Sequence, residues 1–542
     1  MDHPPSYPPH RRSPVRSIKF ILAVALLGLV LPACGAIPSA LPQSTPLPPI
    51  EQPTTPPEPS PEPLAEPTPT ASLVFQVGLP DSTLFDVAWD DRSVFAPGLT
   101  AAYQGALDER PGASIYHIDI ALSDDLTQVT GRQEVRYTNT EDSALASVTF
   151  RLFPNTFGGR TEIANLTVDT APVEPGYELD DSALIVPLPA PLQPGEQVVI
   201  GMDFEVQVPT EPGPNYGAFA LLDGVLALPH FYPMIAVYDD EGWNAEIAPP
   251  YGDVVYADSS YYLVRVSAPA GQTVLSSGRE IGREEEDGRQ VLTLAAGPVR
   301  DFYLVSSDRY ERLSEQVGET TIDAYAPAEL AAANRRALEI ATKAFETYSQ
   351  DFGDYPFTEL DLAATPTLAG GIEYPGIVVV ADQIYDPEIS FFEAATAHEV
   401  AHQWFYSTVG NDQVDEPWLD ESLTQFATWL YYEAAYGQNG YNGFKQSLTS
   451  RLDRASDPDI PVGLPVRDYS ESDYSAIVYG RGPLFFGALR DEIGDDAFDA
   501  FLRDYYQTYR WDISTTDGLK ALAEQHCNCD LTPIFEEWVY EK

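Results

Sequence analysis

Two histidines and two glutamates carry the strongest chemical signal in the sequence. His398-Glu399-Val400-Ala401-His402 sets two imidazoles four residues apart, which on a helix is one turn and one face. Imidazoles so spaced can bind one metal ion, and Glu399 between them can reach water at that metal. Glu421, in Trp418-Leu419-Asp420-Glu421-Ser422, follows His402 after 18 intervening residues. That is enough chain to end one helix, turn, and bring a carboxylate back from a second helix as third ligand. His398, His402 and Glu421 would leave the fourth position of a Zn2+ ion open to water, the catalytic arrangement, with one zinc per chain. The bland alternative is a soluble helix with two chance histidines.

Two further stretches could complete a site. Gly370-Gly371-Ile372-Glu373-Tyr374-Pro375-Gly376 precedes an apolar strand. Gly371 there allows close backbone approach to a ligand, and Glu373 could hold a substrate amine; the plainer reading is a turn entering a strand. Tyr479, in Val478-Tyr479-Gly480-Arg481-Gly482, could donate a hydrogen bond to an oxyanion, with Tyr474 sharing the site or simply packing.

The elements that must position these residues are legible in part. Ser390 and Glu393 read as a capping box opening the histidine helix, Ala395, His398, His402 and Phe405 share one face, and Gly410 reads as its stop. A second helix is expected from near Pro417 to near Gly437. Upstream, Leu330, Leu338, Ala341, Phe345 and Tyr348 make one helical face, followed by short strands at 360–364 and 372–381; further helices are expected at 481–492 and 496–506. Earlier still, alternation at Tyr116, Ile118, Ile120 and Leu122, and at Ile200, Met202, Phe204, Val206 and Val208, reads as antiparallel sheet. The expected fold is α+β in two domains: an N-terminal antiparallel β-domain over 112–310 and a mainly helical domain over 311–542.

The first 34 residues read as an export signal. Arg11, Arg12, Arg16 and Lys19 precede an apolar run too short for a comfortable membrane span. Leu31-Pro32-Ala33-Cys34 resembles a bacterial lipobox, which implies lipidation of Cys34 and an extracytoplasmic lipoprotein held at the cell membrane. An ordinary cleaved signal or an uncleaved anchor are the alternatives. Residues 35–111 are assigned to a Pro-, Thr- and Glu-rich linker and lead-in. Its stretch 37–70 lacks Lys and Arg, and in an extended form it could hold the body up to roughly 100 Å from an anchor. Thirty Lys and Arg against 83 Asp and Glu give a net charge of -53, which argues against nucleic acid as a partner.

Taken together, His398 to His402 with Glu421, Glu373 in its Gly-rich stretch, and Tyr479 resemble the gluzincin zinc aminopeptidase family. Trp418-Leu419-Asp420-Glu421 is similar to the family's WLNE, Tyr479-Gly480-Arg481-Gly482 to its YEKG, and Gly371-Ile372-Glu373-Tyr374 to its GxMEN stretch. The resemblance implies a saddle-like β-domain followed by a thermolysin-like catalytic domain. It also implies zinc on His398, His402 and Glu421, Glu399 as general base, Glu373 on the substrate's α-amine, Tyr479 on the oxyanion, and peptides as substrates. The family's large C-terminal helical domain is not expected before Lys542, and no counterpart of the β-domain residue that helps bind the amine stands out.

The remaining singletons read as structural. His117 and His230 sit among strand residues and aromatics. Cys527 and Cys529 beside His526 suit two thiols or a local disulfide better than a metal. Tyr374 and Trp404 could line a pocket or pack in the core. Competing functions are an endopeptidase or non-peptide hydrolase on the same scaffold, and a surface-binding lipoprotein with a vestigial metal site.

Overall fold

The computed structural model describes residues 83–540. The export signal with Cys34 and the linker 37–70 lie outside the described residues. Among the described residues no helix is long and apolar enough to cross a membrane.

The N-terminal part is mostly antiparallel sheet. Its largest sheet has eight strands, and within it Ile115–Leu122 pairs antiparallel with Gln128–Thr138 and parallel with Ser260–Pro269. Gln197–Gln207 shows the period-two burial its sequence announces, with Val198, Ile200, Met202, Phe204 and Val206 inside. Ile115–Leu122 is buried on both faces, because the segment 83–111 covers the outer one. Leu84 and Phe95 pack on Ile115, Tyr261 and Leu263, and Trp89 stacks on His117 with ring centroids 4.1 Å apart. His117 is therefore structural.

The C-terminal part opens with a five-stranded sheet built from Tyr310–Val317, Thr320–Pro327, Glu359–Thr365, Ile377–Ala381 and the edge strand Gly371–Ile372. The helix Ala331–Asp351 buries Ala333, Ala337, Ile340, Ala341, Ala344, Phe345 and Tyr348. Small residues on this face let the histidine helix Ser390–Ala401 come close, and the Tyr348 hydroxyl donates to the Ala397 carbonyl at 2.9 Å. The helical run Trp418–Leu452 crosses next, broken by non-helical backbone at Gly437. The helices Gly482–Ile493, Asp495–Thr508, Thr516–Cys527 and Thr532–Trp538 complete the packing.

Two expectations about the histidine helix are corrected. There is no capping box: Ile389 occupies the N-cap, and no side chain caps the helix. Glu393 instead accepts hydrogen bonds from Tyr431 and Tyr436 and pairs with Arg336 at 3.0 Å. Nor does the helix run on to Gly410. It ends at Ala401, with His402 as its C-cap, because the next two side chains are tied in different places. Gln403 donates to the Tyr374 carbonyl and accepts from the Gly376 amide, while the Trp404 indole donates to the Gly353 carbonyl in the core. Gly410 has another task. A Cβ there would lie 1.9 Å from the Arg300 guanidinium, which is buried and donates to the carbonyls of Ala257, Tyr406, Thr408 and Asp512.

Candidate active site

The histidine helix and the start of the next helical run set the centre of the site. His398 and His402 project from one helical face, and their Nε2 atoms lie 3.1 Å apart. Glu421, in the first turn of Trp418–Leu452, brings Oε2 to 3.0 Å from His398 Nε2 and 3.5 Å from His402 Nε2. Donors around a tetrahedral zinc with bonds near 2.0–2.1 Å stand roughly 3.3 Å from one another, so the spacing fits. The donor chemistry fits too. The second nitrogen of His402, Nδ1, is 2.9 Å from the Phe405 carbonyl, which makes it the donor and leaves Nε2 with its lone pair facing the centre. Two imidazole nitrogens and a carboxylate oxygen converging this closely call for a cation between them.

Carboxylates crowd the centre. Glu399, on the turn between the histidines, lies with Glu373 and His402 in an overlapping group whose ligand atoms are within 4.8 Å of one another. Burial raises the Glu399 pKa well above the ordinary range, and Glu373 and Glu421 add to the rise. Burial alone would lower the His402 pKa, but Glu373, Glu421 and Glu399 raise it, a concentration of negative charge that favours a cation at this centre. Burial works against ionised Glu421, yet its bonds to His398 and His402 hold its pKa well below the ordinary value.

Glu373 leaves the edge strand Gly371–Ile372 and points inward. Gln403 ties the residues flanking it to the end of the histidine helix. Gln413 donates to Glu373 Oε1 and to Asp420 Oδ2, both at 2.8 Å. Asn411 holds the other Asp420 oxygen at 3.0 Å, so the Asp420-Glu421 pair and Glu373 share one hydrogen-bonded frame. Gly371 was expected to allow close approach of a ligand. Its nearest neighbour is Glu399: a Cβ at 371 would lie 2.3 Å from the Glu399 carboxylate.

Tyr479 sits inside a wide π-turn, Ile477–Arg481, that joins the helices Glu471–Ala476 and Gly482–Ile493. Sequence reasoning put it ahead of a helix; it lies within one helical run, in a widened turn of a kind found at functional sites. Its hydroxyl donates to Glu421 Oε1. Ser422 Oγ donates to the Val478 carbonyl at 2.6 Å, which couples the Glu421 helix to this turn. Tyr474 packs edge-on against Tyr479, with centroids 5.8 Å apart.

These residues line one cavity of about 780 Å³, with Gly371, Glu373, His398, Glu399, His402, Glu421 and Tyr479 all on its wall. Besides Gln413, three contributors to the wall escaped sequence reasoning. Asp253 reaches the wall from the N-terminal part, and burial raises its pKa with Glu373 and Glu421 adding to the rise. His230, read as structural, is held at Nε2 by Asp301 at 3.1 Å and also lines the cavity. Arg451 enters from the last turn of Trp418–Leu452. No period or motif marks any of the three. Tyr374 stacks on Tyr303 at 3.8 Å and lines the cavity, whereas Trp404 belongs to the core. Cys527 and Cys529 are disulfide-bonded, and His526 pairs with Asp504 at 3.0 Å.

Comparison with known proteins converges on this region. Residues 336–538 match the model of the peptidase family M1 domain. Aminopeptidase N of Lactobacillus helveticus is 30% identical over 222 residues, covering 38% of this chain and 26% of that protein. Aminopeptidase 2 of Candida albicans is 25% identical over 303 residues, covering 52% and 32%. The chain thus spans about a third or less of the length of these curated relatives. An M1 zinc metallopeptidase mutant from Deinococcus radiodurans, solved with a Tyr-Ser-Ala substrate, superposes with a TM-score of 0.61 at 20% identity, over 79% of this chain and 94% of that one. The family match falls on the helices that carry His398, His402 and Glu421, so residues 336–538 carry a peptidase family M1 domain, and the fold shared with the M1 zinc metallopeptidase extends to the β-domain.

Proposed function

We propose that this chain is a zinc aminopeptidase that removes N-terminal residues from peptides outside the cytoplasm. The observation that carries the reading is the convergence of His398, His402 and Glu421 with Glu399 and Glu373 on one cavity. A zinc ion held by His398, His402 and Glu421 would supply a Lewis acid that acidifies water and polarises the scissile carbonyl. Glu399 takes the proton of the attacking water and passes a proton to the leaving nitrogen. Tyr479, whose hydroxyl already points at the ligand set, donates to the oxygen that becomes negative. The edge strand Gly371–Ile372 has a free side on which a peptide backbone can pair.

Glu373 decides between exo- and endopeptidase action. Gln413 fixes one of its oxygens, and the buried carboxylate is suited to a substrate ammonium, with Asp253 reinforcing the negative field. The expected result is efficient turnover of an aminoacyl fluorogenic substrate and little turnover of its N-acetylated form. A hydrogen bond to a charged group is worth about 1.5–3 kcal/mol, so Glu373→Ala should lower kcat/KM on free peptides by about 10- to 150-fold. Equal cleavage of free and acetylated peptides by the native protein would favour the endopeptidase reading instead.

We also read the chain as membrane-tethered through Cys34. The support is the basic and apolar series ending in Leu31-Pro32-Ala33-Cys34, followed by a Pro-rich stretch suited to a spacer.

A further inference from the structure

Arg451 is the one Arg or Lys among the described residues lining the active-site cavity. Its guanidinium lies 5.4 Å from the centroid of the Tyr479 ring. Among the described residues its side chain makes no hydrogen bond and no ion pair. Arg454, one turn further on and exposed, is also without an ion pair and adds to the positive field at Arg451. In a chain with 83 acidic and 30 basic residues, an arginine without an acid runs against composition. Some partly buried arginines here pair with an acid, as Arg265 does with Asp119 and Arg336 with Glu393, and others donate to backbone carbonyls, as Arg300 and Arg481 do.

The cavity thus holds buried carboxylates and one guanidinium on an otherwise largely apolar wall. The charges acting on Glu373 include those of His402 and Glu421; those acting on Arg451 are Tyr479, Arg454 and Glu421. Glu421, at the ligand set, is common to both. Arg451, on the same wall and beside Tyr479, lies near the path of a peptide whose reacting carbonyl sits at the Tyr479 hydroxyl.

We propose that Arg451 receives the C-terminal carboxylate of a short peptide, so that both charged ends of the substrate are recognised and free-acid peptides of a few residues are the preferred class. This rests on the aminopeptidase reading above. A guanidinium can grip a carboxylate with two parallel hydrogen bonds. A cation in the last turn of a helix also suits the helix dipole, but that structural role would be indifferent to the end group of the peptide.

The test compares one tripeptide as its free acid and as its C-terminal amide, in the native protein, Arg451→Met and Arg451→Lys, with zinc content and melting temperature measured alongside. The native protein is expected to favour the free acid by roughly 10- to 100-fold in kcat/KM, chiefly through KM. That preference opposes the general field, because a chain this acidic repels the extra negative charge of the free acid. Arg451→Met should bring the ratio to about one, and Arg451→Lys should recover part of it, keeping the charge but not the fork. Equal cleavage of acid and amide by the native protein would overturn the proposal while leaving the aminopeptidase reading standing, and this comparison needs no variant. An undiminished ratio in folded Arg451→Met would also overturn it. Cleavage of neither peptide would overturn the aminopeptidase reading, and this proposal with it.

Discussion

Glu399 and Tyr479 come to the same scissile bond from different elements, and substitution should separate what they do. Neither belongs to the proposed ligand set, so Glu399→Gln and Tyr479→Phe are expected to keep their zinc. The glutamine cannot take a proton from water, and turnover should be lost. The phenylalanine keeps the ring against His398 and Tyr474 but removes one donor, which should lower kcat by about 10²–10³ with little change in KM. Steady-state kinetics on both variants checks this, and a wild-type kcat in Tyr479→Phe would move the oxyanion role to another group, with Tyr474 the first to test. At this scale the sequence was informative where residue type and spacing on one helix define the chemistry, as for His398, Glu399 and His402. It was silent on Asp253, Gln413 and Arg451, which reach the cavity through tertiary packing and carry no local pattern.

Elements set distances that residues alone do not. The edge strand Gly371–Ile372 lies against the histidine helix so closely that residue 371 has no room for a side chain beside Glu399. Gly371→Ala is therefore expected to displace either the Glu399 carboxylate or the strand that carries Glu373. Activity should fall by about 5- to 150-fold, the equivalent of the roughly 1–3 kcal/mol that overpacking of this kind costs, while zinc binding is retained. Kinetics with metal analysis would show it, and full activity in Gly371→Ala would mean the strand yields without effect. The sequence marked this glycine but attached it to a ligand, because a single chain does not say what packs over a turn. The same limit explains Gly410, whose closeness to Arg300 is a contact between residues 110 positions apart. Helix existence was readable from periodicity, as for Ala331–Asp351 and Asp495–Thr508. The end of the histidine helix was not, because Gln403 and Trp404 are drawn to partners that are distant in sequence.

For the whole molecule, the α+β reading followed from a change of period along the chain, two in the N-terminal part and helical after it, and the structure has that order. The covering of the outer face of Ile115–Leu122 by residues 83–111 was not legible, because the short apolar clusters there show no sustained period. If Cys34 is lipidated, the protein should partition with membranes, and Cys34→Ser should release it to the soluble fraction; an unlipidated mature protein with a different N-terminus would contradict the tether. The central claim is that a zinc ion on His398, His402 and Glu421 makes this cavity hydrolytic. Its most direct test measures metal content and aminoacyl-substrate turnover in the native, chelated and zinc-reconstituted protein. The account predicts about one zinc per chain, activity abolished by chelation and restored by zinc, and full activity in the metal-free protein would contradict it.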